Sequence, residues 1–460
     1  MATPQALVDH ALDVSAADHC SVLLRQTSTA NLRWANNTLT TNGVMSACHV
    51  TVVSQISAAG GTAAGVVTEP ASSPSEVADL VARADAAARD ASAAEDANSV
   101  VSGSEAADWD EPPGSTSIDV FDTFASDLGE ALSRARLEGR LLYGYVDHAV
   151  ETTYLATSAG LRLRHEQPSG HVGITGKPSD LSTSAWVGQA TDDFSDVDVA
   201  ALDDALVKRI GWATRSVDLP AGRYETLLPP TAVADLLTYA YFVSSGRDAH
   251  EGRTVFSAPG GGTRLGQRIA RPGVRVFSDP RHPGLHAIPF VAARSSSSST
   301  SVFDNGLPVG PADWILDGTL TALPTSRYTA SLTGLDVHPL VDNLVLEVTG
   351  GAGSVDDLVA GSERALLLTC LWYIRKVDSQ ELLLTGLTRD GSYLVEHGEV
   401  VGAVNNFRFN ESPISLLGRF TEAGSTERSF SREWGDVFKR TATPALRIPD
   451  FNMSSVSQAS

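Results

Sequence analysis

The chain has 460 residues and carries 34 Lys+Arg against 55 Asp+Glu, a formal charge of −21. That length holds two or three domains with cores of their own, and a composition 42% hydrophobic and 19% charged excludes a disordered or fibrous chain. The acidic balance disfavours nucleic acid and anionic membrane surfaces, both of which are held by clustered Lys and Arg.

Residues 1–20 show neither a basic n-region nor an apolar h-region. The strands begin near Cys20: Cys20 to Gln26 and Asn31 to Thr40 alternate, and Val44 to Ile56 is rich in β-branched residues. Asn36-Asn37 and Asn42-Gly43 supply turn chemistry between them. Pro74-Ser75-Glu76 opens a helix that places Val77, Leu80, Val81, Ala84 and Ala88 on one face. An acidic stretch of small residues, about 90–117, reads as an exposed loop. A second amphipathic helix over about Asp119 to Arg140 buries Phe121, Phe124, Leu128, Ala131 and Leu132. Thr152 to His165 and Gly170 to Ile174 read as strands, and about Val197 to Trp212 as a third helix. Proline breaks between Val217 and Pro230 mark a domain boundary; beyond it stands one clear helix, Thr231 to Ser244, in a strand-rich sequence. The fold class is therefore α+β: a mixed N-terminal domain of strands and amphipathic helices over 1–217, then a β-rich antiparallel C-terminal domain over 218–460. The longest apolar run, Ala365 to Ile374, is interrupted by Thr369 and is far shorter than the ~20 residues that span a bilayer. Within it Trp372-Tyr373 reads as part of a core strand. Cys20, Cys48 and Cys370 are too scattered for a disulfide framework or a zinc knuckle. A cytoplasmic chain with reduced thiols is expected.

Isolated motifs do not assemble a catalytic centre. Gly173-Ile-Thr-Gly176-Lys177 has His171 where a phosphate loop needs its first glycine and Pro178 where it needs a hydroxyl, so it reads as a glycine turn. Gly260 to Gly266 misses the dinucleotide spacing by one residue, and no Gly-x-Ser-x-Gly elbow occurs. His250-Glu251 lacks a second histidine one turn on. Asp279, His282 and His286 lie in a proline- and glycine-broken loop that aligns no helical face. His397-Gly398 reads as a tight hairpin, and Ser295 to Ser299 as a flexible polar loop.

Ser301-Val-Phe303-Asp304-Asn305-Gly306, then Trp314-Ile-Leu-Asp317-Gly318-Thr-Leu320 and Ser326-Arg327-Tyr328-Thr-Ala330, resemble the TldD/PmbA peptidase family. Further elements follow in the family's order: Gly246-Arg-Asp248 with Thr254-Val-Phe256, Asp279-Pro280, Asn343 to Glu347 before Gly350-Gly351, Ser354 to Leu358, and Tyr393 to Glu399. The resemblance spans about 220–450. It implies one of two kinds of subunit. The TldD kind holds zinc with His-Glu-x-x-x-His on a helix and a distant Cys; the TldE/PmbA kind lacks these ligands and pairs with the first. Counted back from Thr254-Val-Phe256, the zinc helix falls at Leu237-Thr-Tyr-Ala-Tyr-Phe242, which has no His and no Glu. The distant Cys falls past Gly424, where this chain has none.

The resemblance therefore implies the TldE/PmbA type: a non-catalytic subunit of a heteromeric zinc peptidase, walling a cleft that takes unfolded or extended peptides. It implies no catalytic, cofactor or metal residue in this chain, and zinc in a TldD-like partner. Phe303, Asp304, Gly306, Arg327 and Tyr328 are the expected cleft residues. Departures from the family pattern are Asn305, where an acidic residue is common, Trp372-Tyr-Ile-Arg-Lys376 in place of a glycine-containing stretch, and the Ser295–Ser299 expansion. An alternative is a stand-alone peptide-binding or assembly protein; a hydrolase using Asp279, His282 and His286 ranks last.

Overall fold

The structure, a computed structural model, describes residues 2–457. Helix α1 (Pro4–Val14) leads into strands β1 (His19–Ala35), β2 (Thr38–Ala58) and β3 (Gly61–Pro70). Helices α2 (Pro74–Asp90) and α3 (Asp122–Leu137) precede β4 (Arg140–Thr157), β5 (Arg162–Pro178) and β6 (Ala185–Thr191), and α4 (Val199–Trp212) follows. The six strands form one antiparallel sheet in the order β3-β2-β1-β4-β5-β6. Asn36 and Asn37, at φ 50° and 59°, make the two-residue β1–β2 turn that the right-handed twist of paired strands favours. A capping box between Ser73 and Glu76 starts α2.

Alternation along β1 divides the sheet into two faces. Val22, Leu24, Ala30, Leu32 and Trp34 point to one face, where α1 and α2 cover one end and α3 and α4 the other. All five apolar residues expected on α2, and all five expected on the second helix, are buried there. Each buried Val, Leu or Phe contributes about 1.5–3 kcal/mol. The opposite face, including Leu23, Val53 and Leu155, turns towards the C-terminal half.

That half holds two sheets. The first has six strands among the described residues, and a parallel pair within it joins Leu344–Val348 to Thr441–Thr443. The second has ten strands and is largely antiparallel, with Gly222–Leu228, Arg364–Leu368 and Leu446–Val456 at its centre. Helix α5 (Pro230–Phe242) lies in the core they share: Leu236, Leu237, Ala240 and Tyr241 belong to one cluster with Val276, Leu346, Leu366 and Phe407. A helix apolar on almost every side has to be enclosed in this way. Among the described residues, no helix is long and apolar enough to cross a membrane.

Several local expectations are corrected. Thr152–His165 is not one strand: β4 ends at Thr157 and β5 starts at Arg162, with Gly160 at φ +87° turning the chain. Asn42-Gly43 is not a turn but runs through β2, paired with Leu32 and Asn31. Gly173 to Lys177 is likewise strand, and Gly176 lets Leu206 and Ile210 of α4 approach closely. The acidic stretch is not simply exposed, because Trp109 buries itself edge-on to Tyr154 at 5.6 Å. The serine run is fastened: Ser296 donates to Asp96 (2.6 Å) and Ser298 to Asp248 (2.7 Å). Ser216–Val217 already pairs with Ala403 and Val404 in the ten-stranded sheet. The His397-Gly398 hairpin has the expected positive φ, 52° and 84°.

Gly306 sits at φ +91°, and a Cβ there would come within 2.3 Å of Leu161 Cδ2, itself packed on Phe290. Gly60 has φ +92° and open space around it. Left-handed backbone and overpacking together should make Gly306→Ala cost about 3 kcal/mol in urea unfolding, against about 1 kcal/mol for Gly60→Ala.

Candidate functional site

The two halves meet at both ends of the open sheet face and leave a groove between. At one end Leu23 and Leu155 pack on Phe290, and Val53 on Val302 and Phe303. At the other, Trp186 and Ala190 pack on Cys370 and Phe430. Residues 430–440 line the groove from the C-terminal half, and their Lys439 Nζ donates to Asp147 Oδ2 on β4 at 2.8 Å. A first compartment of about 410 Å³ has Arg25, Phe242, Asp304, Leu340, Asp342 and Phe438 on its walls. A second, of about 550 Å³, has Arg33, Tyr145, His171, Trp372, Phe430 and Arg432.

The segment is held by α5. Asp235, the one carboxylate on that helix, is fully buried; its Oδ1 accepts from Ser431 Oγ (2.7 Å) and Glu433 N (2.9 Å), and its Oδ2 from Leu371 N (3.2 Å). Trp434 Nε1 donates to the Asp235 carbonyl at 2.8 Å. Glu433 passes the link on, accepting from Tyr373 N (2.9 Å) and Ile374 N (3.0 Å). Burial outweighs the donors and pushes the Asp235 carboxyl up to about 7. On the sheet, burial works to raise Asp147, but His171 and Lys439 prevail and hold it below the usual carboxylate range.

The stretch Leu237–Phe242, where the resemblance would put a zinc helix, lies on α5 and borders this site. Leu237 is in the core, Thr238 is buried, and the Phe242 ring meets Trp434 at 5.7 Å and Phe438 at 5.8 Å. None offers an imidazole, thiolate or carboxylate, so these residues do not fit a zinc ion. Burial pushes the Cys370 thiol up to about 12, far from the thiolate a metal requires. Among the described residues, no cluster of three or more His, Cys, Asp or Glu is arranged to hold a metal ion. Glu251 pairs with Arg247 and Arg253, while Asp279 caps Arg281 N and His282 Nδ1 contacts the Pro283 carbonyl.

Of the five expected cleft residues, Asp304 lines the first compartment. Arg327 Nε donates to its Oδ1 at 2.7 Å, Arg327 N to its Oδ2 at 3.1 Å, and Arg327 also reaches the carbonyls of Ser99 and Phe303. Phe303 is buried against Val53, Gly306 lies under Leu155 and Leu161, and Tyr328 donates to Glu95 (3.1 Å) beneath the Arg247 guanidinium. These four fasten the halves beside the groove.

Sequence reasoning missed Tyr145, Asp147, His171, Arg432 and Lys439. Odd positions Tyr143, Tyr145 and Asp147 share the open face of β4, and the available signal was alternation with Leu142 and Val146. Trp372-Tyr373 is not core strand. Tyr373 has φ 51° and the register slips between Trp372 and Arg375, which turns both rings outwards. Trp372 is half-buried in the second compartment and Tyr373 exposed.

The family described as the PmbA/TldA metallopeptidase C-terminal domain matches residues 221–455. No curated protein sequence matches the chain. Over its whole length the chain has the fold of TldE from Thermococcus kodakarensis: TM-score 0.78 at 17% identity, covering 97% of this chain and 98% of that one. A protein described as a candidate modulator of DNA gyrase from Bacteroides thetaiotaomicron gives 0.75 at 15% identity, over 98% of each chain. One so described from Thermotoga maritima gives 0.71 at 15%, over 94% and 95%.

Arg327→Ala leaves the buried Asp304 with only a backbone donor from that residue and should lower stability by about 3 kcal/mol in urea unfolding. Asp235 binds a proton in the folded state at a pH where the unfolded carboxyl, near 3.8, has lost it. Its contribution is therefore fully present below about pH 4 and is lost as pH rises through about 7. Thermal unfolding of Asp235→Asn across that range should show a smaller decline with pH than the parent protein.

Proposed function

The chain belongs to the TldD/PmbA family, and on that premise we propose that it is the non-catalytic, TldE-type subunit of a heteromeric zinc peptidase. The observation that carries this is α5, where Leu237, Thr238 and Phe242 occupy the positions the family's zinc helix gives to His, Glu and His. Two are buried in the core and the third meets aromatic rings edge-on, so this chain contributes neither a metal-bound water nor a general base there. Its part is to wall the groove, with Asp304, Phe303, Gly306, Arg327 and Tyr328 shaping one flank. An extended peptide is held there and presented to zinc in a TldD-like partner. Narrow compartments exclude folded substrates, and main-chain contacts bind extended ones with little sequence demand.

A stand-alone peptide-binding protein is the second reading, favoured by one observation: the second compartment is lined with aromatic rings that can take an apolar side chain without a metal. The purified chain should leave an unfolded peptide intact, and adding the TldD-like subunit should produce chelator-sensitive cleavage. Cleavage by the lone chain overturns the first reading. Native pull-down of this chain without any His-Glu-x-x-x-His protein favours the second.

A further inference from the structure

The second compartment contains a guanidinium short of acceptors. Arg432 lies between two indole rings, its central carbon 3.9 Å from the Trp372 ring centre and 4.4 Å from that of Trp186. Packing over both rings restricts the guanidinium, whose N–H groups suit a planar acceptor. Its nearest carboxylate, Asp390, is 3.9 Å away and already accepts from Ser184 Oγ and from Trp372 Nε1 (3.2 Å). Arg432 Nε is buried and has no hydrogen-bond partner among the described residues. A buried charged donor left in this state is costly, and a bound anion supplies what it lacks.

The balance of charge sets the size of that anion. Arg33, on the sheet side, forms no ion pair among the described residues and rests 5.6 Å from the Tyr145 ring centre. Glu433 is matched by Arg375 at 3.2 Å and by two backbone N–H groups, and His171 by Asp147. Asp436 is the remaining carboxylate on the wall, without an ion pair among the described residues. With Arg432 beside Asp390 and Arg33 offset by Asp436, the wall carries no surplus positive charge, so a singly charged carboxylate suits it better than a phosphate. The rest of the wall is aromatic: His171 stacks on Phe430 at 5.1 Å, with Tyr145 beside it. That surface takes a flat apolar group next to the charge.

We propose that this compartment binds the C-terminal residue of a peptide, with Arg432 taking the terminal carboxylate and the aromatic wall an aromatic side chain. The proposal rests on the peptide-cleft reading above and gives it a polarity: the chain enters with its C-terminus towards the Arg432 guanidinium.

The test uses the full chain and a fluorescently labelled unfolded peptide ending in Phe, as the free acid and as the C-terminal amide, read by anisotropy. The acid should bind at least tenfold more tightly than the amide. N-acetylphenylalanine, but not its amide or inorganic phosphate, should compete. Arg432→Gln should abolish the acid–amide difference. Acid and amide binding equally overturns the proposal and leaves the peptide-cleft reading standing, and this comparison needs no variant. If neither peptide binds, both readings fall. A difference that survives in Arg432→Gln, or competition by phosphate as strong as by N-acetylphenylalanine, also overturns the assignment.

Discussion

A single buried carboxylate sets the geometry of the groove. Asp235 projects from an otherwise apolar helix, and its three accepted hydrogen bonds come from two separate stretches of chain, Leu371 and the Ser431–Glu433 turn. Without those donors the carboxylate would stand in hydrocarbon; without the carboxylate, two backbone N–H groups would be orphaned. Because neither side can be satisfied alone, the 430–440 segment is tied to α5 where it leaves the core. Lys439 then joins it to Asp147 on the N-terminal sheet. Both compartments inherit their shape from this pair of anchors.

The same helix bears on the chemistry. A zinc centre needs soft or anionic donors projecting into solvent-accessible space, whereas α5 presents hydrocarbon on its core side and aromatic rings on its groove side. The contacts of Phe242 with Trp434 and Phe438 are of the kind that a core uses, placed at the edge of a cleft. On the proposed reading, packing that stabilises the helix stands where the zinc-bearing kind of subunit carries its ligands. The proposed division of labour between two subunits follows from this replacement.

What could be read from the sequence was what is local. The Ser73–Glu76 cap, the apolar faces of α2 and α3 and the Asn36-Asn37 and His397-Gly398 turns each depend on residues a few positions apart. The first half of β4 escaped because Gly144 interrupts the alternation of Leu142 and Val146. Trp372-Tyr373 was misread because an apolar run looks the same whether it is buried or twisted outwards by a residue at positive φ. Arg432 carried no local signal at all, since its setting is made by Trp186 from the N-terminal sheet and Trp372 from the other half. The expected site residues were placed by family resemblance, and four of the five prove to be engaged in the junction that holds the groove open.

The central claim is that this chain shapes a peptide cleft without holding the metal. Its most direct measurement is the metal content of each subunit after the complex is isolated from its own cells and the chains are separated under native conditions. The account predicts zinc on the co-purifying His-Glu-x-x-x-His chain and substoichiometric zinc here. One zinc per copy of this chain, retained after separation, would contradict it.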